Sequence, residues 1–287
     1  MSFKIAIASG KGGTGKTTIS VNLAQMLSEK KDVLLADCDV EEPNASIFFS
    51  KKQLIDSLEC NKQIPEINTK NCTFCRKCVE YCVFNALSII PELKFQQVHA
   101  DLCHSCGACS IACKYDAITE VEQQIGFIQY FKLSSNLKLA EGRLKIGSPM
   151  QTMMISQLKD FVEDKADILI YDAPPGTSCP MVETVADANF VVLVTEPTPF
   201  GLYDLKLAIE VLRQIKIPFG VFINKAGLGS EEIYSYLKLE NIKLLGEVPF
   251  AKDYASRYAE GNLFSSDLRN ISKCYKQLIF EIERRLG

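Results

Sequence analysis

Two cysteine runs of identical spacing constrain this chain more than any other feature. Cys72, Cys75, Cys78 and Cys82 read C-x2-C-x2-C-x3-C, and Cys103, Cys106, Cys109 and Cys113 repeat the pattern 31 residues further on. Eight thiols at such short intervals demand tight turns that bring sulfurs together. Either metal or disulfide bonds would hold them. Twelve cysteines in 287 residues suit disulfides only in an oxidising compartment. Phe3-Lys4-Ile5-Ala6-Ile7-Ala8 instead runs straight into a glycine-rich loop, without a basic leader or cleavage site. A reducing cytoplasm is the expected setting.

That loop is Gly10-Lys11-Gly12-Gly13-Thr14-Gly15-Lys16-Thr17-Thr18, a match to G-x-x-x-x-G-K-[ST]. It lies between an apolar run at residues 3–8, expected to be a buried strand, and a helix expected from about Lys16 to Lys30. The context is what phosphate binding requires. Gly10, Gly12, Gly13 and Gly15 let backbone N–H groups turn inward, and the helix N-terminus adds its dipole. Lys16 supplies charge at the β- and γ-phosphates, and the Thr17 hydroxyl can ligate Mg2+. The expected ligands are ATP and Mg2+.

Further buried strands are expected at Val33–Ala36, Ile168–Asp172, Phe190–Thr195, Phe219–Ile223 and Ile242–Val248. Helices fit at Leu202–Ile215 and Glu231–Leu239, with a last one from about Asp267 to Leu286. Between Lys62 and Phe127 this pattern gives way to cysteines and short polar turns. The expected fold is a doubly wound, mainly parallel α/β sheet of the P-loop NTPase kind, made of residues 1–60 and 130–287. A small α+β module at 61–129 interrupts it, as a surface connection allows because closure cost grows slowly with loop length. Lys138–Gly147 is expected to form a hairpin where the chain rejoins.

Net charge is −3, from 32 basic and 35 acidic residues, so nucleic acid is not an expected partner. No run of eighteen apolar residues occurs, so no membrane span is expected. Leu268, Ile271, Tyr275, Leu278, Ile279 and Ile282 share one stripe of the last helix. Its polar face mixes acids with bases, which favours packing over membrane binding.

Lys11 sharpens the reading. G-K-G-G-x-G-K-T-T resembles the deviant Walker A loop of the MinD/ParA superfamily of ATPases, which includes the nitrogenase iron protein and the Mrp-type iron–sulfur carriers. The resemblance extends over the chain outside the cysteine module. It implies a homodimer with ATP sandwiched between subunits, in which the lysine matching Lys11 reaches the partner's phosphates. Asp37-Cys38-Asp39 is similar to switch I, where the residue matching Asp39 orients the attacking water and approaches Mg2+ through water. Asp172-Ala173-Pro174-Pro175-Gly176-Thr177 is similar to Walker B and switch II, with Asp172 supporting Mg2+ mainly through water. Asn224 resembles the base-recognition asparagine, and Pro249 and Phe250 resemble the segment lining the base. The implied catalytic residues are Lys11, Lys16, Asp39 and Asp172. Strand-end carboxylates otherwise serve as caps and turn formers.

The cysteine spacing is that of bacterial two-cluster ferredoxins, in which the fourth cysteine of each run ligates the other cluster. By that rule Cys72, Cys75, Cys78 and Cys113 hold one 4Fe–4S cluster, and Cys103, Cys106, Cys109 and Cys82 hold the second. Zinc is the rival occupant of C-x2-C pairs. The proline that usually follows the fourth cysteine is Val83 in one run and Lys114 in the other, which puts the local turn in question. Cys38, Cys60 and Cys274 read as fillers. Cys179 follows the switch II segment, but no C-x-x-C of the Mrp type accompanies it. His104, beside Cys103, is expected to shape cluster surroundings.

The whole pattern resembles MinD-superfamily ATPases that carry an inserted ferredoxin domain. It implies a nucleotide switch driving electron transfer or metal-cofactor and iron–sulfur maturation, with an unidentified partner protein. Two other classes stay open. One is a MinD/ParA-like positioning or assembly ATPase with a redox-sensing insert. The other is an ATP-dependent ligase of the cobyrinate amidase type, for which no amidotransferase module is visible.

Overall fold

The computed structural model describes residues 2–252, 256, 260–261 and 269–286. In chain order the elements begin β1 (Phe3–Ala8), α1 (Lys16–Leu27), β2 (Val33–Asp37), β3 (Gln53–Ile67), α2 (Lys77–Tyr81), β4 (Leu87–Ile90) and β5 (Phe95–Val98). They continue with α3 (Ala108–Ala112), β6 (Ile118–Lys132), β7 (Leu137–Leu144), α4 (Gln151–Val162), β8 (Ile168–Asp172) and α5 (Cys179–Val185). Last come β9 (Phe190–Thr195), α6 (Pro199–Gln214), β10 (Phe219–Ala226), α7 (Glu232–Leu239), β11 (Leu244–Pro249) and α8 (Arg269–Leu286).

Two compact units emerge. The first comprises Met1–Leu58, Ile128–Arg143 and Gln151–Gly287; the second comprises Glu59–Phe127 and Leu144–Met150. The large sheet has the order β11-β10-β9-β1-β8-β2-β7-β6-β3. From β11 through β7 every neighbouring pair is parallel. β2, β8 and β9 are buried along their whole length, as strands covered on both faces must be. Their uninterrupted apolar sequences follow from that. After β1 the chain places β2 to one side, and it returns through β8 to run β9, β10 and β11 to the other. The order therefore reverses at β1, and the loop that leaves β1 opens at the switch point where parallel α/β sheets bind ligands.

Residues 138–147 do not form the expected hairpin. Strand β7 occupies most of that span and pairs with β2 in parallel, Lys138 beside Leu34 and Glu141 beside Asp37. Gly142 is there for packing, not for a turn: a Cβ at this position would lie 2.8 Å from Val40 Cγ1.

Helix α8 is built into the core. Tyr275, Leu278 and Ile282 are fully buried among the central apolar residues, and the Tyr275 ring sits 5.3 Å from that of Phe222. Leu268 and the side chain of Ile271 lie outside the described residues. Glu281, also buried, takes hydrogen bonds from Lys243, Arg284 and Arg285. Arg284 first, then Lys243, pulls its carboxyl down to about 2. Among the described residues no helix is long and apolar enough to cross a membrane.

Leu278→Ala should cost about 2–5 kcal/mol in a denaturant titration, as buried leucine truncations do. A helix lying free of the core would give less than about 0.5 kcal/mol.

Candidate functional site

The phosphate loop is shaped by close backbone approaches. Gly13 and Gly15 take left-handed φ values of 76° and 92°. A Cβ on Gly10 would sit 2.2 Å from the Asp204 carbonyl oxygen of α6, so only glycine lets the loop lie against that helix. The Ser9 hydroxyl donates to the Lys11 carbonyl at 2.6 Å. Gly12 is exposed; Lys16, Thr14 and Thr18 are buried at the start of α1. Among the described residues the buried Thr14 Oγ1 has no hydrogen-bond partner.

Asp172 ends β8 directly beside Asp37 at the end of β2. Its Oδ1 accepts from Ser20 Oγ at 2.8 Å, and the Thr17 hydroxyl also bonds its carboxylate. Its Oδ2 is buried with no partner. An orphaned carboxylate oxygen is costly, and a bound cation or its water would satisfy it. Burial raises the Asp172 carboxyl, against the lowering pull of Lys16. Thr17, Asp39 and Asp172 together offer oxygen donors, the set that Mg2+ prefers.

Asp37 does different work. It is buried, and its two oxygens accept from the backbone N–H groups of Asp39, Asn44 and Ala45 at 2.9–3.1 Å. Glu141, its neighbour across β7, is buried too and accepts from the Ser46 N–H at 3.3 Å. Two interior carboxylates thus hold the segment that carries Asp39. Burial, then the nearby Asp172 charge, pushes Asp37 well above the usual carboxylate range. Asp39 is half-buried and is pushed up to about 6, chiefly by burial, with Lys16 opposing.

On the other side of the loop, Lys11 is engaged within its own chain. Its ammonium pairs with Glu196 at 2.5 Å, and Glu196 also binds Lys225 at 3.0 Å. Lys225 reaches the Gly13 carbonyl as well. Asn224 Nδ2 donates to the Thr14 carbonyl at 2.8 Å, and its Oδ1 accepts from the Lys225 N–H. Asn224 therefore ties β10 to the phosphate loop. Pro249 pairs with Ala226 and the Phe250 N–H bonds the Ala226 carbonyl, which sets both just beyond Asn224 with exposed side chains.

In the second unit the cysteines border two separate cavities. One is lined by Cys72, Cys75, Cys78 and Cys113, the other by Cys103, Cys106, Cys109 and Cys82. Each takes three sulfurs from one run and the fourth from the other. The turns repeat in detail: Phe74, Arg76 and Asn85 have positive φ, and so do Ser105, Gly107 and Asp116, their counterparts 31 residues on. Left-handed residues are costly at non-glycine positions and cluster at functional turns. Backbone N–H groups of Phe74 and Ala86 point at the sulfurs of Cys72 and Cys82, 3.4 and 3.3 Å away. Cys82 and Cys113 are extended, the conformation a following proline would impose. The two turns therefore match although Val83 and Lys114 stand in the proline's place. Burial pushes the Cys78 thiol up to about 11 and raises Cys109, while the Lys77 N–H leads in lowering Cys75. Among the described residues no three His, Cys, Asp or Glu side chains converge to hold a single metal ion.

His104 stacks on Phe84 at 3.9 Å and both line the second cavity. His99 meets Ser88 at 3.0 Å. Cys38 and Cys60 are buried, and Cys179 is exposed at the start of α5. Sequence reasoning did not single out Ser20, Glu141, Glu196 or Lys225. Only Lys225 carried a signal, its place beside Asn224; the others are assembled by pairing distant segments.

The nucleotide-binding domain family described as CobQ/CobB/MinD/ParA matches residues 5–264. An uncharacterised protein of Methanocaldococcus jannaschii is 32% identical over 93% of this chain and 93% of its own length. An iron–sulfur cluster carrier protein of Aquifex aeolicus is 23% identical over 90% of this chain and 60% of its own. The septum site-determining protein MinD of Pyrococcus horikoshii, solved with Mg-ADP, superposes with a TM-score of 0.62 at 18% identity, covering 100% of this chain and 98% of that one.

Lys16→Ala should weaken Mg-ATP binding or abolish turnover, since it would remove the main charge expected at the phosphates. Asp39→Ala should retain binding and lose turnover. Nucleotide titration calorimetry and phosphate release distinguish the two, and unchanged hydrolysis in both variants would remove these residues from catalysis.

Proposed function

The chain belongs to the CobQ/CobB/MinD/ParA nucleotide-binding family, and on that premise we propose that it is an ATP-driven iron–sulfur protein. It is a P-loop ATPase. In our reading ATP binding closes a homodimer in the cytoplasm, and the second unit carries two 4Fe–4S clusters that serve electron transfer to a partner or maturation of its metal cofactor. The observation that carries this reading is the pair of cavities, each lined by three cysteines of one run and the fourth of the other. The iron–sulfur cluster carrier among the relatives points the same way. Four thiols spread around a cavity suit a polynuclear group. Zinc, with bonds of about 2.3 Å, needs four sulfurs drawn onto one point.

The residues act as follows. Gly10, Lys11, Gly12, Gly13, Thr14, Gly15, Lys16, Thr17 and Thr18 wrap the phosphates, with Lys16 neutralising their charge. Thr17, Asp39 and Asp172 face the metal that ATP brings, and Asp37 with Glu141 fixes the segment from which Asp39 orients water. Asn224, Pro249 and Phe250 border the base. Lys11 must leave Glu196 to reach a phosphate of the second copy. Lys225 stays on Glu196, so the carboxylate is not left unpaired, a loss that would otherwise be strongly destabilising. The eight cluster cysteines bind as thiolates; iron uptake must displace the protons that burial holds on Cys78 and Cys109. When bound, the clusters supply one-electron chemistry that the polypeptide itself lacks.

Anaerobically prepared protein should contain about eight irons per chain. Cys113→Ser should disturb the signal of the cluster held by Cys72, Cys75 and Cys78. Stoichiometric zinc without visible absorption, or disturbance of the second-run signal alone, would contradict the reading.

A further inference from the structure

Lys62 is the one lysine or arginine of the second unit that is buried, 4% exposed, among the described residues. It stands on β3 and its ammonium donates to the carbonyl oxygens of Ala100 at 2.7 Å and of Cys103 at 2.9 Å. Those are dipoles, not charges. Among the described residues no carboxylate lies within ion-pair distance of it; Asp101, on the same turn, is exposed. A buried ammonium is costly unless a negative charge answers it. The adjacent residue, Gln63, fixes the same turn, its carbonyl accepting from Ser105 Oγ at 2.6 Å. Two consecutive β3 residues therefore clamp the backbone around Cys103. Gln63 and Cys103 line the second cavity, while Lys62 lines a neighbouring one with Asp101, the one carboxylate among the described residues whose charge reaches it, and sets its buried cation against the backbone of Cys103.

The first cavity is treated differently. Arg76 and Lys77 border it, but both are exposed, and Lys77 is paired with Glu80 at 2.7 Å. Solvent and salt screen such charges, whereas a desolvated one keeps its field. Glu120 borders the second cavity and opposes Lys62 in sign, yet it is exposed and bonded to Ser110.

We infer that Lys62 is the counter-charge of the group bound by Cys103, Cys106, Cys109 and Cys82, and that it makes this the higher-potential of the two sites. The inference rests on the two-cluster reading above. A nearby cation favours the more negative, reduced state, so charge around a cluster tunes its potential. An electron supplied to either site by an outside one-electron reductant then comes to rest on the second-run site, which makes that site the exit toward a partner. Lys62 acts here by position; it is not a ligand.

The test is a redox titration of the reconstituted full chain, followed by electron paramagnetic resonance. Lys62→Met should lower the higher of two midpoint potentials and leave the other in place, so their separation narrows. Lys62→Arg, which keeps the charge, should restore it. The signal that moves should be the one that Cys106→Ser perturbs. Lys62→Gln replaces Lys62→Met if the latter fails to take up iron. No shift, an equal shift of both potentials, or a shift of the signal that Cys75→Ser perturbs would overturn the assignment of Lys62 while leaving two clusters standing. Wild-type protein that takes up no iron would instead overturn the two-cluster reading itself.

Discussion

Asp172 and Asp37 sit side by side at the ends of two central parallel strands, both taken out of water. The nucleotide site depends on how that adjacency is relieved. Burial raises both carboxyls, and the Asp172 charge raises Asp37 further. The fold answers each differently. Three backbone N–H groups satisfy Asp37. Ser20 satisfies one oxygen of Asp172, Lys16 and Thr17 favour its charged form, and the other oxygen is left open. One carboxylate thus becomes a structural anchor, and in the proposed reading its neighbour seats the cation. The parallel register that aligns them also sets β1 between β8 and β9, so the phosphate loop opens at the same edge.

The second unit solves a different problem with the same economy of repetition. A module this small has a thin core: Ile67, Leu87, Ile89 and two of the cysteines themselves form its buried cluster. Residues in left-handed conformations at matched positions of both runs shape the two turns alike. Such turns gain little from apolar burial, so a bound group that all four sulfurs share would contribute folding energy directly. The asymmetry between the two halves lies in charge, with a buried lysine under one turn and exposed cations beside the other.

The sequence made the central strands legible because buried parallel strands are continuous apolar runs, and β1, β2, β8 and β9 are such runs. The phosphate loop was legible because glycine and lysine spacing is local. Residues 138–147 were misread as a hairpin because Gly142 resembles a turn residue; its real reason is the Val40 methyl that leaves no room for a Cβ. The fifteen-residue strands β3 and β6 were missed, since none of their first seven residues is buried and the burial in their later halves follows no clean period. Glu196, Glu141 and Lys62 were invisible for one reason. Each acts on a segment far away in the chain, and local pattern carries no trace of that pairing.

In the chain, the second unit is inserted after the Asp39 segment and is left again before Asp172, so the two carboxylates proposed to face the nucleotide flank it in sequence. The account holds that nucleotide state and cluster chemistry are coupled through this arrangement as a shift between two states. The most direct measurement is the paramagnetic resonance spectrum and chelator accessibility of the iron in nucleotide-free, ADP-bound and ATP-trapped Asp39→Ala protein. The account predicts that the ATP-trapped dimer differs from the other two in line shape and in the rate of iron loss. Identical spectra and identical rates in all three, with dimerisation demonstrated in the same samples, would contradict it.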